Sequence, residues 1–89
     1  MRDKNITIVN KLGLHARAAA KFVTMASMFS SDIQLVKDER VVNGKSIMGI
    51  MMLAAACGSD MEIIAEGSDE EQAVCMLSEL VDARFGEAE

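Results

Sequence analysis

The sequence predicts an α+β fold in the order β-α-β-β-α-β-α, with helices packed on one face of a largely antiparallel sheet. Three observations carry that expectation. Short runs of apolar residues, alternating or β-branched, recur near 5–9, 33–37, 40–43 and 61–66. Between and after them lie three stretches whose apolar residues return at helical spacing. No proline, linker or low-complexity tract interrupts the 89 residues, so one domain spanning 1–89 is expected.

Taken in order, the first strand is Asn5–Val9, with Ile6 and Ile8 on one face. A loop through Gly13 leads into a helix from Ala16 to about Met28, whose inner side carries Ala19, Phe22, Val23 and Ala26. Ser30-Ser31-Asp32 ends it. Strands at Ile33–Lys37 and Arg40–Asn43 follow, joined by a tight polar turn at Asp38-Glu39. A short helix after Lys45 covers about Ile47–Leu53. Met61–Glu66 is the fourth strand, with Met61, Ile63 and Ala65 inward. Gly67 turns the chain into the last helix, where Ser68 and Glu71 are spaced as a capping box. Ala73, Val74, Leu77, Leu80, Val81 and Phe85 form its apolar stripe.

Composition narrows the function classes. With 51% hydrophobic and 26% charged residues the chain reads as globular. It has three Phe and neither Trp nor Tyr, so eight Met and many Ala must fill the interior. No stretch approaches the roughly 18 apolar residues of a membrane span, and no signal-peptide core follows the N-terminus. Cys57 and Cys75 sit in no CxxC or Cys/His cluster, and are expected as buried thiols of a reducing cytoplasm. Net charge is −5 but uneven: residues 1–45 hold eight Lys/Arg against four Asp/Glu, residues 46–89 one against ten. The acidic total argues against nucleic-acid binding. The basic N-terminal half, free of acids between Lys4 and Ser31, suits an anion or an acidic protein partner.

The only histidine, His15, lies in that window, where the loop becomes the first helix. A helix start exposes unpaired N–H groups and the positive end of the dipole. With His15 as N-cap, the amides of Ala16, Arg17 and Ala18 point near its ring. Their field disfavours the imidazolium and leaves a neutral nitrogen able to attack phosphorus. Once phosphorylated, the ring would present a dianion to the same amides and to Arg17, each worth about 0.3–1 kcal/mol, up to about 2 when partly buried. No second His and no Cys lies near, so no metal is expected.

The segment Gly13-Leu-His-Ala-Arg17 closely resembles the active-site signature of the HPr family, the histidine-containing phosphocarriers of the bacterial phosphotransferase system. Asn43-Gly-Lys-Ser-Ile-Met-Gly-Ile-Met51 resembles the family's regulatory-serine region, and the likeness runs nearly the whole chain. The resemblance implies an HPr-like open-faced β-sandwich: a four-stranded antiparallel sheet with three helices on one face. It implies that His15 accepts a phosphoryl group on Nδ1 from phosphorylated enzyme I and passes it to a histidine of an IIA-type protein. It also implies phosphorylation of Ser46 by HPr kinase/phosphorylase, and a stoichiometric carrier that is no turnover enzyme and needs no cofactor. Ala18 departs from the pattern, since many members carry proline there. A free N–H at that position loses nothing, because it lacks an intrahelical partner anyway.

The short second helix is apolar nearly all round. Burying Ile50 and Leu53 leaves Ile47, Met48 and Met51 at least partly exposed, rimmed by Arg17 and Lys45, with Met51 and Met52 open to an alternative reading as core. With Ala20 and Thr24, Lys45, Ile47, Met48 and Met51 are the expected docking residues for partner proteins, and a monomer keeps that face free. Two rivals stand beside this reading. One is a nitrogen-type or purely regulatory member of the family. The other is a binding module in which His15 is idle.

Overall fold

The computed structural model describes residues 1–89. Its elements run β1 (Arg2–Thr7), α1 (Ala16–Ala26), β2 (Asp32–Lys37), β3 (Arg40–Asn43), α2 (Ile47–Met51), β4 (Asp60–Glu66), α3 (Glu70–Asp82) and a final 3₁₀ turn at Arg84–Gly86. The sheet has the order β1-β4-β2-β3 and every neighbouring pair is antiparallel. β4 therefore lies between β1 and β2, which places the chain's late strand at the centre of the sheet.

Alternation decides which face is covered. Ile6, Ile8, Ile33, Leu35, Met61, Ile63 and Ala65 point inward and are buried. Ala18, Ala19, Phe22 and Ala26 of α1 meet them, with Ile50 of α2 and Ala73, Val74, Leu77 and Val81 of α3. Alanines on α1 let its backbone approach closely, and Phe22 fills the space they leave. The other sheet face carries the polar alternates, with Thr7 donating to Asp60 across β1 and β4.

Several sequence expectations shift by a few residues for identifiable reasons. β1 stops pairing with β4 at Thr7, yet Ile8 stays extended and buried because its amide donates to Ser59 and its carbonyl accepts from Gly58. α1 ends at Ala26 because the next amides tighten to three-residue spacing, Met28 to Met25 and Phe29 to Ala26. α2 ends at Met51, and Ala54, at φ 50°, turns the chain away. Met52 is exposed like Met51, so the wrapped-core alternative for this pair is overturned.

Two expectations fail and a third is met in another setting. Cys57 and Cys75 are exposed, not buried. Cys57 sits in the loop after α2, and Cys75 falls on the outer side of α3, whose inner side is 73, 74, 77, 78 and 81. Ser68 does not cap α3: Asp69 takes the N-cap position, and Glu70 instead reaches back to accept from the Gly67 amide. Phe85 is buried as the stripe requires, but in a separate turn at φ 54°.

Candidate functional site

His15 is the N-cap of α1, in extended conformation, with φ −79° and ψ −178°. Two residues earlier, Gly13 holds φ 70°, and a Cβ there would lie 2.7 Å from the Ala55 carbonyl oxygen. Only glycine lets the loop lie so close to the segment after α2. The next amide, Leu14, donates to that same carbonyl at 2.8 Å, and the Leu14 side chain is buried. The histidine loop is thus pinned from below before α1 begins.

The helix start has the expected form. The first helical bond is donated by Ala19 to the His15 carbonyl, while the amides of Ala16, Arg17 and Ala18 donate to no protein acceptor. The His15 ring makes no cap bond to them. It turns instead to the C-terminal segment, where Nε2 lies 2.5 Å from Oε2 of Glu87. Side-chain exposure is 29% for His15 and 15% for Glu87, so the ring is reachable while its carboxylate partner is screened.

Glu87 is held from a second side. Its Oε1 accepts from Nδ2 of the buried Asn10 at 3.0 Å, and the same Nδ2 donates to the Gly13 carbonyl at 2.7 Å. Bonds from His15 first, and from Asn10 next, hold the Glu87 carboxyl below the usual carboxylate range. The tail is fastened further by the Lys11 amide, donating to the Glu89 carbonyl at 2.9 Å, and by an ion pair between their side chains. Lys21 completes the fastening with a 2.6 Å bond from Nζ to the Phe85 carbonyl.

Arg17 is exposed and lines the same shallow cleft as Lys11, Leu12, His15, Glu87 and Glu89. No salt bridge or hydrogen bond engages its guanidinium. The site therefore joins a histidine with one engaged nitrogen, three undonated amides and an exposed positive charge. No cluster of His, Cys, Asp and Glu could hold a metal ion.

Ser46 is the N-cap of α2, and its Oγ accepts from the Gly49 amide at 3.1 Å. Of the expected docking residues, Ile47, Met48, Met51 and Thr24 are exposed and Ala20 is half-buried. The Thr24 hydroxyl donates back to the Ala20 carbonyl. Lys45, expected at the rim, is half-buried, and its amine donates to the Phe29 carbonyl at 2.8 Å, tying the start of α2 to the segment after α1. Exposed Leu12, beside His15, belongs with the apolar surface and was not expected there. Glu87 and Asn10 also escaped sequence reasoning. Glu87 lies 72 residues from the ring it contacts, and its only signal is an acidic chain end facing a basic window.

Comparison with known proteins identifies the family and the fold. The PTS-HPr family, described as the PTS HPr component phosphorylation site, matches residues 2–83. Phosphocarrier protein HPr of Neisseria meningitidis is 51% identical over 89 residues, covering the whole of both chains. Among solved structures, HPr-C-His from Thermoanaerobacter tengcongensis superposes with a TM-score of 0.96 at 50% identity, again over the whole of both chains. An HPr dimer from the same organism gives a TM-score of 0.79 at 52% identity, covering 98% of this chain and 100% of that one.

Proposed function

Because the chain belongs to the HPr family of the phosphotransferase system, and is a phosphocarrier rather than a turnover enzyme, we propose that His15 is its phosphoryl acceptor. Nδ1 takes the group from phosphorylated enzyme I and gives it to a histidine of an IIA-type protein. The observation that carries this reading is the histidine at the N-cap of α1, with its Nε2 engaged and the first three amides of the helix undonated. In the transfer, an N–P bond forms at Nδ1 while the donor's bond to phosphorus breaks and its electron pair leaves with the donor. The amides of Ala16, Arg17 and Ala18 and the guanidinium of Arg17 stabilise the charge that arrives. That stabilisation is modest, which suits a group that must leave again.

Ser46 is the proposed regulatory site, phosphorylated by HPr kinase/phosphorylase. Its N-cap position supports this, because a phosphate there adds about −1.5 to −2 charges where helix amides tolerate them. The added charge would weaken docking of an acidic partner. Ile47, Met48, Met51, Ala20 and Thr24 form the proposed docking surface, with Lys45 contributing as a brace between helices. The protein works as a single-domain cytoplasmic monomer without cofactor. Light scattering after size exclusion tests the monomer, since a relative of similar sequence has been solved as a dimer.

The deciding experiment is incubation with phosphoenolpyruvate and enzyme I. Acid-labile, base-stable phosphate on the wild-type protein, absent from His15→Ala, is the expected result. Equal labelling of both proteins, or none of the wild type, would overturn the carrier reading. For Ser46, HPr kinase and ATP should add acid-stable phosphate to the wild type and none to Ser46→Ala.

A further inference from the structure

On the reading of His15 as phosphoryl acceptor, we propose that Glu87 is a positioning residue that decides which ring nitrogen is nucleophilic, with Asn10 fixing the direction of its carboxylate. The argument begins with hydrogen inventory. An ionised carboxylate can only accept, so the hydrogen at the His15–Glu87 contact must belong to the ring, on Nε2. In the neutral imidazole the lone pair then resides on Nδ1. A carboxyl is ionised at neutral pH at its ordinary value, and the bonds from His15 and Asn10 lower the titration of Glu87 further.

Asn10 makes this orientation one-sided. Its Nδ2 donates both to the Gly13 carbonyl and to Oε1 of Glu87. Turning the Asn10 amide over would set its oxygen against two acceptors, so it stays as it is, even though its buried Oδ1 has no partner. Oε1 of Glu87 is therefore always occupied by a donor, and Oε2 is the atom left for His15.

The same contact serves the charged state. When Nδ1 bonds to phosphorus and the donor departs with its electron pair, Nε2 retains its hydrogen and the ring becomes cationic. The Glu87 carboxylate already faces that cation, so no proton has to move during acceptance. On onward transfer the N–P bond breaks, its electron pair returns to Nδ1, and the ring is neutral with its hydrogen still on Nε2.

Glu87→Gln tests the proposal sharply. Asn10 will hold the new amide by its oxygen, so the glutamine –NH₂ will face Nε2 where an acceptor stood. The ring must then accept at Nε2 and carry its hydrogen on Nδ1, the nitrogen that should attack. Nitrogen-15 NMR of the unphosphorylated full-length protein should show Nε2–H in the wild type and in Glu87→Asp, and a shift toward Nδ1–H in Glu87→Gln. Single-turnover phosphorylation by enzyme I should slow roughly tenfold in Glu87→Gln, the equivalent of one charge-assisted hydrogen bond, and recover in part in Glu87→Asp. Unchanged tautomers in Glu87→Gln, or changed tautomers with an unchanged rate, would overturn the role of Glu87. Failure of the wild type to accept phosphate would instead defeat the carrier reading, while the tautomer comparison would still decide what sets the ring.

Discussion

Asp69 accepts hydrogen bonds from both the amide and the hydroxyl of Ser31, and from the Ser30 amide at 2.9 Å, joining the start of α3 to the start of β2. The hydroxyl first, then the Ser30 amide, pull the Asp69 carboxyl down to about 2. An aspartate in the unfolded chain titrates near 3.9. Because the folded value is the lower one, the contribution is complete above about pH 4 and is lost as pH falls toward about 2. Asp69→Asn should therefore have a lower urea midpoint than the wild type at pH 7, with the gap closing at pH 2. A gap that stays constant with pH would contradict the linkage.

Gly13→Ala should damage both the fold and the site. A left-handed φ for alanine and a Cβ against the Ala55 carbonyl should cost about 1–3 kcal/mol in urea unfolding. Since the displaced loop carries His15, phosphorylation by enzyme I should slow even under conditions where the variant remains folded. Retention of both stability and rate would show that the close approach is dispensable.

Ser46→Ala should remove the cap of α2 and lower stability by about 0.5–2 kcal/mol. Ser46→Asn keeps an acceptor for the Gly49 amide and should lose far less. Thermal unfolding of the three proteins side by side is the test, and equal losses in both variants would point away from capping.

The β2–β3 turn offers a gain. Asp38 and Glu39 are its two residues, at φ 50° and 70°, the signs a type I′ hairpin demands. Glu39→Gly should relieve left-handed strain and raise stability by up to about 1 kcal/mol, after the extra chain entropy of glycine is offset. A lower urea midpoint would mean that Glu39 contributes something beyond the turn.

Much of this was legible in the sequence because it is local. Alternation placed Ile6, Ile63 and Ala65 inward, and the Asp38-Glu39 turn fell between strands that pair Lys37 with Arg40. His15 at the mouth of α1 was also readable, since a glycine loop followed by an alanine run marks a helix start. Distant partners were not readable. Local spacing favours Ser68 over Asp69 as the cap of α3, because the bonds that employ Asp69 come from a segment 38 residues away. Nothing near Lys45 in sequence announces its bond to the Phe29 carbonyl. Cysteine chemistry suggested burial, but the helical phase of α3 placed Cys75 outside.

Three thioethers, those of Met48, Met51 and Met52, stand in solvent on or just after α2, whereas Met61 is enclosed in the core. Peroxide adds one oxygen to an accessible thioether and makes it a polar, chiral sulfoxide. Oxidative stress would therefore wet this surface while sparing Met61 in the interior, and a reductase specific for each sulfoxide epimer could restore it.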